Sequence, residues 1–249
     1  MLKLKCLLSV IAVMSLSGVA SAEEKIAVAP KVADTDRRTV SFQDGVNSYK
    51  GTVDSEIWAL APTTILDGNP NASSDADNDG GESQVLLRFE SIIGDDPTQI
   101  PPGAVIHSAR LLVSAFDQGS TVNLHRMLVP FDEAATWSSM VSGVSADGLE
   151  ASRRKDAFTF GKIAANSSEI IFDVTDTVQT WASVEENHGW VFLNTGGNGW
   201  DFYVSEFDNV AQRPKLVVEF SIATPVTNTN TATTATSTEN AGSQVSSSN

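Results

Sequence analysis

Cysteine is almost absent: among 249 residues only Cys6 carries a thiol. It lies in an apolar stretch over residues 6–16 that follows Lys3 and Lys5 and closes on Ala20-Ser21-Ala22. That is the pattern of a secretory signal peptide with an A-x-A site, cut before Glu23. The apolar stretch is too short to span a bilayer. No cysteine follows the cut, so a lipid anchor is not expected. The remaining chain has no disulfide and no cysteine metal site, and an exported protein of that kind rests on its core or on a metal. A secreted, extracellular or periplasmic bacterial protein is the expectation.

Positive charge is also scarce. The chain carries 16 Lys and Arg against 31 Asp and Glu, a formal charge of −15, and losing Lys3 and Lys5 makes it more negative. Such a field repels nucleic acid, acidic lipid and anionic polysaccharide at long range. A local basic patch or a bridging cation is then needed for any of them. The one dense basic run is Arg153-Arg154-Lys155, which reads as a solvated loop unless it lines a site.

Catalytic signatures are missing too. The three histidines are His107, His125 and His188. There is no G-x-S-x-G, no H-E-x-x-H and no glycine loop of nucleotide-binding type. Acids are so numerous that a glycosidase-like pair can be imagined anywhere and so carries no information. No enzyme activity is expected.

What the chain does have is strand pattern. Apolar or alternating runs over 52–60, 84–89, 104–116, 121–128, 169–174, 189–193 and 214–220 are separated by Gly, Asn, Asp and Pro turns. Over 104–116, Val105, Ala109, Leu111, Val113 and Ala115 share a face that His107 interrupts. Residues 84–89 are nearly continuously apolar, as a central strand would be. Thr175 is expected to cap one helical turn carrying Val178 and Trp181. The expected fold is all-β, a jelly-roll-type β-sandwich with one short helical turn, over residues 40–221. Residues 23–39 read as a flexible leader, and the Ser/Thr/Asn-rich 222–249 as a disordered tail.

An acidic run, Asp75-Ala76-Asp77-Asn78-Asp79-Gly80-Gly81-Glu82, enters the apolar strand. Its opening matches an EF-hand loop, but Leu86 stands where a bidentate Glu belongs and a strand follows instead of a helix. Asp75, Asp77, Asp79 and Glu82 are candidate Ca²⁺ ligands, with Ca²⁺ in a structural role. Asp44 and Asp54 flank an early turn and Asp201 and Glu206 a late one, and if the loops meet, Asp44, Asp54, Asp79 and Asp201 are candidates for one oxygen-rich site. The alternative is that each Asp caps its own turn.

An ordered set of motifs resembles a known family. It comprises Phe42-Gln43-Asp44-Gly45, Tyr49-Lys50-Gly51-Thr52-Val53-Asp54, Leu86-Leu87-Arg88-Phe89 and the run from Ile100-Pro101-Pro102-Gly103 to Ala109-Arg110-Leu111. Phe131-Asp132-Glu133-Ala134-Ala135-Thr136-Trp137, Asp173-Val174-Thr175, Gly189-Trp190 and Arg213-Pro214-Lys215-Leu216 complete it. Together they resemble the DNRLRE domain, which is similar to carbohydrate-binding module family 96. The resemblance implies a jelly-roll sandwich and a non-catalytic module that binds polysaccharide, alginate-like in some members. This chain departs from that pattern in showing no catalytic domain beside the module, and a separate secreted enzyme or surface partner is among the expected partners.

Sugar binding needs aromatic faces and polar side chains. Trp200, in the glycine-rich stretch 195–201, is the leading candidate, followed by Tyr203, Tyr49, Trp58 and Trp137. Arg153, Arg154, Lys155 and Lys50 are the cations available to an anionic glycan. Trp181 and Trp190 read as core. The competing reading is a structural, cell-surface or matrix protein that works through protein contacts without glycan.

Overall fold

The computed structural model describes residues 36–76, 81–159 and 169–222. The signal peptide, most of the leader, Asp77, Asp79 and nearly all of the tail lie outside them. Chain contacts divide the protein after Lys31, and every described residue belongs to the second unit.

Eleven strands are described. They are β1 (Arg38–Gln43), β2 (Thr52–Trp58), β3 (Asn71–Ser74), β4 (Ser83–Phe89), β5 (Val105–Asp117), β6 (Val122–Met127), β7 (Ala151–Thr159), β8 (Glu169–Asp173), β9 (Trp190–Asn194), β10 (Trp200–Tyr203) and β11 (Lys215–Ser221). One helix, α1 (Thr175–Ser183), lies between β8 and β9. The first sheet runs β1-β11-β5-β10-β3, with β8 also paired to β5. The second runs β2-β4-β9-β6-β7. All pairings between these strands are antiparallel, and the chain is an all-β sandwich.

Each expected strand is present within a few residues of its expected bounds. The expectation missed β1, β3, β7 and β10, which are short or polar. Trp190, Phe192, Trp200, Phe202, Leu111 and Leu216 belong to the core between the sheets. Aromatic neighbours within it meet obliquely, as Trp181 and Trp190 do at 4.6 Å between ring centres.

Two details correct the sequence reading. On β5 the pairing with β11 skips from Ser108 to Ile106. This bulge at His107 moves the buried position to Ile106 and leaves Val105 half-exposed. On α1, Thr175 is inside the helix rather than capping it, and its hydroxyl accepts from the Ala109 amide at 2.9 Å. Asp173 holds this helix start, accepting from both the amide and the hydroxyl of Thr175.

The second sheet is covered on both faces. Leu86, Val191, Val53 and Ile57 form a second apolar cluster with Phe131, Ala135, Met140 and Val144 from the connection between β6 and β7. That is why residues 84–89 read as continuously apolar: Val85, Leu87 and Phe89 face one cluster and Leu86 the other. Gln84 pins the cover, since its amide both donates to the Val144 carbonyl and accepts from the Val144 amide.

Candidate functional site

Two adjoining clefts meet at Glu90 and Ser91. The larger, about 850 Å³, is lined by polar residues that include Asn47, Ser48, Lys50, Thr98 and Gln99, with Tyr49 as its phenolic wall. The smaller, about 660 Å³, takes Arg88, Trp181, Glu185, Asn187 and His188 from the end of β4, from α1 and from the turn before β9.

The walls are held by bonds the sequence does not announce. Tyr49 donates its hydroxyl to the Glu90 carbonyl at 2.9 Å, and its ring meets Phe42 edge-on at 5.4 Å. Burial, with Glu90 and Asp44 nearby, keeps this phenol's proton on to well above the ordinary range. Gly51 makes the arrangement possible: a Cβ there would lie 2.9 Å from the Tyr49 hydroxyl. The Gln99 amide donates to the Ser91 carbonyl at 2.7 Å. Arg88 is paired with Glu90 at 2.6 Å.

Backbone strain gathers here as well. Among the described residues, five non-glycines have positive φ, and three of them, Asn47 (51°), Ser48 (64°) and Ser91 (54°), line the larger cleft. A left-handed serine persists only where its surroundings hold it, and such residues concentrate at binding and active sites. No composition signal marks Ser91. Asn47-Ser48 follows Gly45 in a turn, which is the only trace of this feature in the sequence.

The expected aromatic residues do not converge. Trp200 is the main correction: it opens β10 with its side chain inward and is fully buried, so it offers no face to a sugar. The glycine loop before it ends one residue too early to display the ring. Tyr203, its outward neighbour on β10, is sandwiched between Phe116 (4.8 Å) and Phe207 (3.7 Å). Trp58 ends β2, 37% exposed, with its indole N–H on the Gly81 carbonyl. Trp137 belongs to the cover of the second sheet, and its ring lies so close over Gly143 that a Cβ there would clash. Of the five, Tyr49 alone lines either of these two clefts. Trp181 and Trp190 are buried, as expected.

The basic run is a strand, not a loop. Arg153, Arg154 and Lys155 lie on β7, at the edge of the second sheet, and line neither cleft. Arg154 pairs with Asp176, Lys155 sits over the Phe158 ring, and Arg153 donates to the Asp147 carbonyl.

The candidate cation ligands are dispersed. Asp44 is paired with Arg213 at 3.1 Å. Asp75 bridges to Ser83 through its backbone and packs on Gly199. Glu82 accepts from the Gln84 amide. Asp201 sits opposite Ser73 and Asp117. Asp54 is buried on β2 beside Glu206. Asp77 and Asp79 lie outside the described residues. Among the described residues no three His, Asp or Glu side chains gather as a metal cage. No helix of the described residues is long and apolar enough to cross a membrane.

No family model matches the chain, and no curated protein matches it.

Proposed function

We propose that this domain is a secreted, non-catalytic polysaccharide-binding module and that the paired clefts at Glu90 and Ser91 hold the glycan. The observation that carries this reading is the clustering of three left-handed non-glycine residues in one polar cleft. Strain of that kind is retained where a loop must keep one shape. The lining suits a sugar: hydroxyl and amide groups from Ser48, Asn47, Thr98 and Gln99 can reach ring hydroxyls, and Tyr49 adds an apolar wall. The resemblance to the DNRLRE domain supports the same reading. Carboxylates outnumber cations along the clefts, so an alginate-like chain would need Lys50, Arg88 or a bridging cation, whereas a neutral glycan would not.

Affinity electrophoresis of the exported protein tests this, through gels holding alginate, a neutral β-glucan, xylan or pectin, each with Ca²⁺. Retardation by one glycan, weakened about tenfold or more by Lys50→Ala together with Asn47→Ala, is expected. Free migration in every gel would refute the reading and leave protein contact as the function.

A further inference from the structure

The buried face of β2 carries a second feature that the clefts do not use. Asp54 is 4% exposed, and its carboxyl contacts that of Glu206 in the turn after β10. The Ser205 amide donates to Asp54 at 3.1 Å, and the Ser205 hydroxyl donates to Glu206 at 2.7 Å. One oxygen of Glu206, Oε2, is buried without a hydrogen-bond partner. The Thr52 hydroxyl is also buried and unpartnered, on a residue only 6% exposed. Thr52 lies two residues from Asp54 and therefore on the same face of β2.

The charges felt around this pair are acidic. Glu206 is felt by Asp54 and by Glu133, and Asp201 by the next inward acid of β2, Glu56. Two carboxylates in contact inside a protein need a positive charge between them. A shared proton would join the two carboxyls but would leave Glu206 Oε2 and the Thr52 hydroxyl without partners. A hard divalent cation takes oxygen ligands from several directions and would engage both.

We propose that Asp54 and Glu206, with the Thr52 hydroxyl, form a binding site for one hard divalent cation, with Ca²⁺ the best match. Two carboxylates neutralise its charge, and backbone carbonyls and water complete its shell. Calcium fits better than magnesium because a shell of mixed, irregular ligands suits it. The cation would tie the edge of the second sheet to the turn after β10. This site stands independently of the glycan reading, because it is measured with the metal alone.

The test is calorimetric titration of the EDTA-treated full-length protein with CaCl₂ and with MgCl₂, followed by thermal melts. One saturable Ca²⁺ site, tighter than for Mg²⁺, and a Tm rise of about 5 °C at millimolar Ca²⁺ are expected. Glu206→Gln and Asp54→Asn should each lower affinity at least about tenfold, and Thr52→Val by a smaller factor. These isosteric changes are checked for folding by circular dichroism. A joint Asp77→Asn and Asp79→Asn variant should bind as the unaltered protein does. Absence of heat and of any Tm shift would overturn the proposal. So would affinity that survives in both Glu206→Gln and Asp54→Asn but disappears in the Asp77/Asp79 variant, which would move the cation to the acidic loop.

Discussion

The two edges of the second sheet each shield an aspartate, half-buried on β7 and buried on β2, and the fold treats them differently. At the β7 edge, Asp156 accepts from the indole N–H of Trp190 at 3.2 Å and from the Thr177 hydroxyl on α1, and Arg126 and His125 lie close enough to favour its charge. At the β2 edge, Asp54 has Ser205 as donor and a second carboxyl as its charged neighbour. Burial pushes both carboxyls above the ordinary range, but at Asp156 every other influence opposes it, while at Asp54 the Glu206 charge adds to it. A shielded charge met by the chain's own donors is a structural element. One left beside another acid is where the proposed cation would complete the structure.

Truncation should break this comparison most visibly. Asp156→Ala would strand the Trp190 N–H and the Thr177 hydroxyl, while Arg126 would keep its pairing with Glu185 at 3.2 Å. A loss of about 1–3 kcal/mol is expected in urea unfolding under EDTA. Asp54→Ala in the same buffer removes one donor's acceptor but also removes a like-charge contact, so it should cost less than about 1 kcal/mol. Equal losses would mean that the two edges are energetically alike and that the contrast is only geometric.

The sequence carried the fold and little of this site. The alternation along 104–116 and the dense apolar run at 84–89 place two strands correctly because burial dictates side-chain period. Even there, the bulge at His107 shifted the inward position by one residue, because pairing with β11 decides it. The strands missed were those whose polarity comes from position. β7 holds Arg153, Arg154 and Lys155 because one of its edges is unpaired. Trp200 failed as a binding candidate because a glycine-rich approach does not say which way the next residue points. Asp54 and Glu206 are 152 positions apart and meet only through the sandwich, so spacing could not join them.

A gentler pair of substitutions sharpens the contrast. Thr177→Val and Thr52→Val each exchange one buried hydroxyl for a methyl of similar size. The Thr177 hydroxyl serves Asp156, so its loss should cost about 1 kcal/mol. The Thr52 hydroxyl has no partner, so under EDTA its removal should be neutral or stabilising by up to about 1 kcal/mol. In millimolar Ca²⁺ the sign at Thr52 should reverse if the cation uses that oxygen. A Thr52→Val cost that is the same with and without Ca²⁺ would show that the hydroxyl plays no part.

The smallest expected effect is a slope against pH at the β7 edge. The groups facing Asp156 are His125 and Arg126 from β6, Trp190 from β9 and Thr177 from α1. Desolvation outweighs all of them, so the folded protein holds this proton more tightly than the unfolded chain, whose aspartates titrate near about 3.9. The stability contributed by that proton is complete below the unfolded value and declines as pH rises through the raised folded value. Urea midpoints should therefore fall with increasing pH above about 4 by an amount that Asp156→Asn removes, because Asn stays neutral and keeps an oxygen for Trp190. Measuring the difference between Asp156→Asn and the unaltered protein, rather than either curve alone, separates this aspartate from the other acids. A difference that does not vary with pH would mean that Trp190, Thr177 and Arg126 offset the burial completely.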